Sequence, residues 1–146
     1  MSNNPHLDGI SIVITYYNET LLLDKCVKAI SNSLKKLEPQ QQNVEVIIID
    51  DASTYPPGKL PDQEKFRIVR LSKNGGVGEA RNAGLRLSRY NYIHFLDADV
   101  FICEPFLKNL FQLLDINPPI CAIQGHYSEI PGNDKPTWFN WYMSLS

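Results

Sequence analysis

Two segments of this chain are almost entirely apolar and are followed directly by acidic residues. The segments are residues 44–49 and residues 92–96. The acids that follow them are Asp50 and Asp51 in the first case and Asp97 and Asp99 in the second. Strands that are apolar on both faces are typical of a parallel sheet covered by helices on both sides. Because parallel strands end at the same edge, where open α/β sheets bind ligands, the sequence predicts that these carboxylates converge.

The spacing of the second acidic pair suggests a metal site. Asp97 and Asp99 are separated by one residue, and two such acids can share a hard divalent cation that bridges carboxylates to substrate phosphates. A simpler interpretation is that acids end a strand and cap the helix that follows. We favour that interpretation for a single acidic strand end, and a metal-assisted phosphate site where two strands end in this way.

The rest of the chain alternates between strand and helix patterns. Strands are predicted at residues 10–15, 44–50, 66–71, 92–96 and 120–125. Helices are predicted from about residue 20 to just before Pro39, from about 78 to 88, and from about 105 to 114. The proline-rich residues 52–64 are expected to form an irregular loop. This order predicts a mostly parallel α/β sheet flanked by helices.

Composition excludes several classes of protein. The net charge of -2 comes from 14 basic and 16 acidic residues, without the clustered Lys and Arg expected of a nucleic-acid-binding protein. The three cysteines form no C-x-x-C pair and are predicted to be reduced core residues. Without an apolar run of about 18 residues or a signal peptide, the chain is expected to be cytoplasmic, with no transmembrane segment.

A glycine-rich turn at residues 74–84 resembles known phosphate-binding motifs only in part. Arg81 stands where the third glycine of a dinucleotide-binding motif would be, and no Gly-Lys-Ser/Thr sequence follows. What remains is a turn that opens a helix, whose first N–H groups could bind an anion with Arg81 as an additional donor. The alternative is a turn that needs glycine for its positive φ, followed by a surface arginine.

Taken together, four segments of the chain resemble the family 2 glycosyltransferases, enzymes of the GT-A fold. The resemblance extends from residue 10 to about residue 114. The segments that carry it, in the family's order, are residues 11–19, 48–53, 74–84 and 95–99. In that fold the first and fourth strands are neighbours, so the resemblance implies that the first and last of these segments flank one crevice.

The resemblance implies an inverting transferase that uses a nucleotide-diphosphate sugar, most often a UDP-sugar. The residues it assigns to the nucleotide sugar are Thr15, Tyr17, Glu19, Asp51, Arg81, Asp97 and Ala98. It implies that Asp99, together with Asp97, holds Mn²⁺ or Mg²⁺. Such a cation stabilises the charge that develops on the departing nucleoside diphosphate. The acceptor, whether glycan, lipid or protein, is not indicated.

The general base of the reaction is missing from the matching segments. An inverting transferase needs a carboxylate that deprotonates the acceptor hydroxyl, and in the family it lies well beyond the Asp-x-Asp motif, in a second half that also binds the acceptor. Glu129 and Asp134 are the only acids after Asp115, and neither resembles that base. We therefore expect a flexible N-terminus at residues 1–9 and a nucleotide-sugar-binding domain at 10–126. Residues 127–146 are expected to be a loop and aromatic tail that begins a missing acceptor-binding half.

Two other functions are compatible with parts of this pattern. A non-catalytic nucleotide-sugar-binding or scaffolding module would keep the fold without the base. A nucleotidyltransferase would be expected to have a glycine-rich phosphate loop directly after the first strand, where this chain has residues 16–19, Tyr-Tyr-Asn-Glu. We rank the nucleotidyltransferase low for that reason.

Overall fold

The computed structural model describes residues 7–41, 43–61, 64–115, 126–128 and 138–140. The strands are β1 (Ile10–Tyr16), β2 (Val44–Asp50), β3 (Phe66–Arg70), β4 (Tyr92–Asp97), β5 (His126–Ser128) and β6 (Trp138–Asn140). The helices are α1 (Thr20–Leu34), α2 (Gly76–Leu87) and α3 (Phe106–Leu114), with a short 3₁₀ turn at Pro39–Gln41. Residues 120–125, predicted as a strand, lie outside the described residues.

Strands β1 to β4 form one parallel sheet in the order β3-β2-β1-β4. The chain winds outward from β1 through β2 to β3, and then returns to place β4 on the other side of β1. A reversal of this kind opens a crevice at the carboxyl ends of the two strands that flank it. The predicted parallel α/β sheet is therefore confirmed, and so is the pairing of the first strand with the fourth.

Helices cover both faces of β1 and β2, as strands that are apolar on both sides require. The same expectation is wrong for β4, which lies at the edge of the sheet and is only partly buried, with Phe95 39% exposed. On one face, α1 and α3 pack over a large core that includes Ile12 and Ile14 of β1. On the other face, Ala80 and Ala83 of α2 pack against Val13 of β1 and its neighbours in β2. The side chains of β1 alternate between these two cores, which fixes the central strand between the layers.

Helix α1 ends earlier than the predicted boundary at Pro39. Its last residue is Leu34, and the N–H groups of Lys36 and Leu37 then donate to carbonyls only three residues back. Such bonds tighten the end of a helix into a turn. Leu37 remains buried, so the apolar spacing continues past the helix although the helical geometry does not.

Two further differences concern helix α2 and the region after residue 126. Helix α2 begins at Gly76, two residues before the predicted start. Strands β5 and β6 pair antiparallel within the region predicted to be a loop and aromatic tail. Each has three residues, which is too short for a period-two pattern to be recognised in the sequence.

Candidate functional site

Three neighbouring strands end side by side, and we call this end of the sheet the carboxyl edge. Thr15 of β1 is paired with Asp97 of β4, and Tyr16 is paired with Asp50 of β2. The loops that follow β1, β2 and β4 therefore begin next to one another. This register places the predicted site residues of all three loops at one edge of the sheet.

Asp97 is where side chains from three elements meet. The Thr15 hydroxyl donates to Oδ1 of Asp97 at 2.9 Å. Nη2 of Arg81, from α2, donates to both carboxylate oxygens at 2.9 and 3.2 Å. The side chains of Arg81 and Asp97 are 42% and 40% exposed, so the pair is accessible from the crevice. Thr15 and Arg81 thus each contact Asp97 directly, and all three residues were predicted to contact a nucleotide sugar.

Helix α2, which carries Arg81, packs closely against β1. A Cβ atom added at Gly84 would lie only 2.1 Å from Cγ1 of Val13, so no larger residue fits there without a shift of the helix or of Val13. Nε of Arg81 is buried, and it has no hydrogen-bond partner within the part of the chain that the structure describes. The arginine therefore has a donor available beyond those that it uses on Asp97.

Asp51 is bound to the start of α2. Its Oδ1 and Oδ2 accept the N–H groups of Gly75 and Gly76, each at 2.8 Å. Gly76 has φ +79°, a conformation that glycine adopts without steric cost. The sequence prediction of free N–H groups for an anion is therefore wrong at these two positions, because a carboxylate already occupies them. The alternative of a turn with positive φ is confirmed for Gly76.

The adjacent Asp50 has a different environment, which its sequence position does not reveal. It is fully buried, and it accepts the N–H of Ser53 at 2.8 Å and Nη1 of Arg70 at 3.2 Å. Arg70 also donates through Nη2 to the carbonyl of Ser53 at 2.6 Å. Asp50 therefore holds the loop after β2, and only Asp51 faces α2. Sequence reasoning did not single out Ser53 or Arg70 individually.

The remaining residues predicted to bind the nucleotide sugar lie in the loops of the carboxyl edge. Tyr17 is 49% exposed, and the exposed Glu19 provides the carbonyl that accepts the first N–H groups of α1. Ala98 is buried, and its N–H donates to the carbonyl of Thr15 at 3.2 Å. Ala98 therefore ties the loop after β4 to β1, whereas Tyr17 and Glu19 present exposed side chains.

Asp99, the predicted metal ligand, has an exposed carboxylate. No ion pair or hydrogen bond involves that carboxylate within the described residues. Burial, and secondarily the charge of Asp99, raises the pKa of the Cys26 thiol to about 12. No group of three His, Cys, Asp or Glu residues suited to a metal occurs among the described residues. One free carboxylate fits a cation such as Mg²⁺, which is commonly held by one or two carboxylates together with substrate phosphates.

Comparison with known proteins decides the family. The model of the family described as "Glycosyl transferase family 2" matches residues 11–145. The chain belongs to glycosyltransferase family 2. Its four-stranded parallel sheet and flanking helices form the GT-A fold. The resemblance drawn from the four sequence segments is confirmed.

One curated protein and two solved structures illustrate what this chain is similar to. The chain is 29% identical over 131 residues to glycosyltransferase GlyG of Streptococcus pneumoniae, a match covering 85% of this chain and 42% of that protein. S. aureus TarS 1-349, solved in complex with UDP-GlcNAc, has a TM-score of 0.60 and 22% identity over 73% of this chain and 31% of its own. The mannosyltransferase PcManGT from Pyrobaculum calidifontis, solved with GDP-Man and Mn²⁺, has a TM-score of 0.61 and 19% identity over 80% and 35%.

The chain therefore spans less than half the length of each of these three proteins. Within the described residues, none of the helices combines the length and the apolar character needed to cross a membrane.

Proposed function

We propose that the carboxyl edge binds a nucleotide-diphosphate sugar and that this chain is the donor-binding part of an inverting glycosyltransferase. The observation that supports this most directly is the contact of Thr15 and Arg81 with Asp97. The Asp97 carboxylate can accept hydrogen bonds from sugar hydroxyls, and Arg81 keeps donors for a phosphate or a base carbonyl. A crevice that offers both is suited to a ligand with hydroxyl groups and negative charge.

UDP is the nucleotide that we propose, with the acceptor unspecified. Each oxygen of Asp51 accepts one N–H from the turn before α2, and a carboxylate has lone pairs for about four. Asp51 can therefore accept a further N–H from a nucleobase without releasing the helix. TarS binds UDP-GlcNAc and PcManGT binds GDP-Man, so a guanine nucleotide is the alternative to be tested alongside UDP.

We further propose Mn²⁺ or Mg²⁺ as the cofactor, with Asp99 as its protein ligand. When bound, the cation would stabilise negative charge on the nucleoside diphosphate as the sugar leaves. Asp97 was predicted to share the metal, but it is already paired with Arg81. We therefore assign Asp97 chiefly to orienting the donor, since metal ligation would compete with the arginine.

Calorimetry with UDP and with uridine tests the proposed nucleotide site and the proposed metal site separately. We expect UDP to bind more tightly with Mn²⁺ than with EDTA, and uridine to bind equally in both because it has no phosphates. Asp99→Asn should remove the effect of Mn²⁺ on UDP binding. The affinity for UDP in the presence of Mn²⁺ should then fall tenfold or more, which corresponds to about 1.4 kcal/mol. Asp51→Asn should weaken the binding of both UDP and uridine. The NH₂ group of the asparagine would face N–H groups that need an acceptor.

Asp8→Asn is the matched control for these substitutions. Asp8 is exposed and lies just before β1, at the opposite end of the sheet, so both affinities should stay as in the wild type. The metal site is contradicted if Asp99→Asn keeps the full effect of Mn²⁺. The donor site is contradicted if neither UDP nor GDP binds with Mn²⁺ present.

A further inference from the structure

The turn between β1 and α1 is fastened to the loop after β2 by one side chain, that of Asn18. Oδ1 of Asn18 accepts the N–H groups of Thr54 at 2.7 Å and Tyr55 at 3.2 Å. In the other direction, the N–H of Asn18 donates to Oγ of Ser53 at 3.0 Å. We call these three hydrogen bonds the Asn18 latch. They join two of the loops that form the carboxyl edge.

The latch continues into buried parts of the sheet. Ser53 is fully buried, and its backbone is held by Asp50 and Arg70. The Tyr16 hydroxyl, at the end of β1, donates to the carbonyl of Tyr55 at 2.5 Å. The turn that carries Asn18 is therefore connected to the ends of β1, β2 and β3.

Two residues near the latch adopt left-handed backbone conformations that side chains normally disfavour. Asn18 and Ala52 each have φ 58°. Asparagine tolerates this conformation better than most residues, but for alanine it costs about 1 kcal/mol. A strained backbone of this kind persists only where surrounding contacts over-determine it. Because Ala52 lies directly between Asp51 and Ser53, its conformation sets the path of the chain from the carboxyl end of β2 to the latch.

The residues beside Asn18 keep their side chains free. Tyr17 and Glu19 are exposed, and neither side chain has a hydrogen-bond partner within the described residues. The side-chain contact that fixes this turn to the loop after β2 is made by Asn18, and it leaves the side chains of both neighbours available to a ligand. Fixing a turn while leaving its flanking side chains unpaired reduces the entropy lost when a ligand binds.

We propose that Asn18 is a positioning residue for nucleotide binding, which orients Tyr17 and Asp51 through the latch without touching the ligand. The inference rests on the proposed function of the carboxyl edge, and it adds a residue that works through hydrogen bonds to the backbone of another loop. The acceptor oxygen of Asn18 is the group that matters, since both bonds from Thr54 and Tyr55 end on it.

Two substitutions at Asn18 separate the acceptor from the backbone conformation. Asn18→Gly keeps the positive φ at no steric cost but removes Oδ1, and Asn18→Asp keeps an acceptor at the same place. We expect Asn18→Gly to weaken UDP binding, measured by calorimetry with Mn²⁺, by tenfold or more. Asn18→Asp should restore the affinity to within about threefold. Uridine is uncharged, and its affinities for the variants should follow the same order as those of UDP. Such a result would exclude repulsion between the added carboxylate and the phosphates of UDP as the cause.

Ser33→Ala is the control for a general loss of stability. Oγ of Ser33 is buried and accepts the N–H of Leu107 in α3, far from the latch in sequence, so this variant should lower the melting temperature but keep the affinity for UDP. Ser53→Ala removes one bond of the latch and should weaken UDP binding less than Asn18→Gly. It provides the comparison if Asn18→Gly does not fold.

The outcomes distinguish this inference from the proposed function. If the wild type binds UDP and Asn18→Gly or Ser53→Ala binds it equally well, the latch does not position the site. If Asn18→Asp binds as weakly as Asn18→Gly with both ligands, the acceptor oxygen is not the cause and the inference is wrong. Failure of the wild type to bind UDP or GDP would instead overturn the proposed function, and the positioning role with it.

Discussion

We predict that the ion pair of Arg81 and Asp97 contributes more to ligand recognition than to stability. Both side chains are about 40% exposed, and exposed pairs of this kind stabilise a fold by only about 0–1 kcal/mol. Arg81→Lys keeps the positive charge but loses the planar group that can contact Asp97 and a ligand together. We expect the affinity for UDP to fall about tenfold, measured by calorimetry, with the free energy of unfolding changed by less than about 1 kcal/mol.

Arg86→Lys provides the matched control on the same helix. Arg86 forms an exposed ion pair with Glu79 at 2.8 Å, so the same chemical change is made away from Asp97. Its affinity for UDP should equal that of the wild type. An equal loss of affinity in both variants would mean that the loss does not depend on the contact with Asp97, and would contradict the role proposed for Arg81.

A second residue-scale prediction concerns His94 of β4. Burial lowers the pKa of its imidazole from 6.5 to about 4, and the ring packs against Phe106 at 5.0 Å between centroids. As the pH falls below 6.5, the unfolded chain takes up the proton first, so the folded state loses stability down to about pH 4. The full loss is on the order of 3 kcal/mol, and above pH 6.5 this residue adds no pH dependence.

The measurement is the free energy of unfolding by urea between pH 7 and pH 4.5. We compare the wild type with His94→Leu, which cannot titrate. The difference between the two curves removes the contribution of the other acids and histidines. His94→Leu should show a smaller fall in stability over this range, and parallel curves would contradict a buried neutral histidine.

At this scale, sequence could name the acids of the site but could not divide their roles. Asp50 and Asp51 are adjacent and both follow a buried strand, yet one holds Arg70 and the other holds the turn before α2. The partners of the two carboxylates lie on other elements of the chain, so the residues around Asp50 and Asp51 do not identify them. Asn18 was likewise recognisable as a turn residue, but its partners lie 35 to 37 positions away.

At the scale of elements, the contact between α2 and β1 determines where Arg81 lies relative to the carboxyl edge. Gly84 allows the helix to approach Val13, and a methyl group there would collide with that side chain. Gly84→Ala should therefore destabilise the protein by about 1–3 kcal/mol, the usual cost of overpacking. It should also weaken UDP binding, because the displaced helix carries Arg81. Chemical denaturation and calorimetry measure the two effects.

Gly78 is the control, because it lies in the same helix and a Cβ atom there would meet open space. Replacing a helical glycine by alanine stabilises a helix by about 0.5–1 kcal/mol. Gly78→Ala should therefore be neutral or stabilising and should keep the affinity for UDP. If both variants lose stability equally, packing of Gly84 against Val13 is not the cause of the loss.

Strands were easier to predict from the sequence than the ends of helices. The apolar runs of β1 and β2 are buried at nearly every position, so their pattern is the direct consequence of helices on both faces. Helix ends depend on single hydrogen bonds instead. Helix α2 begins at Gly76, where Asp51 from the loop after β2 accepts the first N–H groups, and this contact leaves no local pattern in the sequence.

At the scale of the whole molecule, the two ends of the sheet have different roles. The carboxyl edge has exposed side chains and two strained backbone positions. At the amino end, Glu45 is buried and accepts the Ser11 hydroxyl at 2.7 Å and the N–H of Arg89 at 2.6 Å, with Arg67 at 3.3 Å. This network joins β1, β2 and β3 to the segment after α2.

The division predicts that stability and ligand affinity can be changed separately. Glu45→Gln keeps one acceptor oxygen but replaces the other by an amide facing Arg67, so we expect a loss of about 1–3 kcal/mol in the free energy of unfolding. The affinity for UDP should stay within twofold of the wild type, whereas Asp51→Asn should lower it. Because α2 spans the distance between the two ends, an equal loss of affinity in Glu45→Gln would mean that the helix transmits strain from one end to the other. In that case the close packing at Gly84 would not be rigid enough to isolate the site.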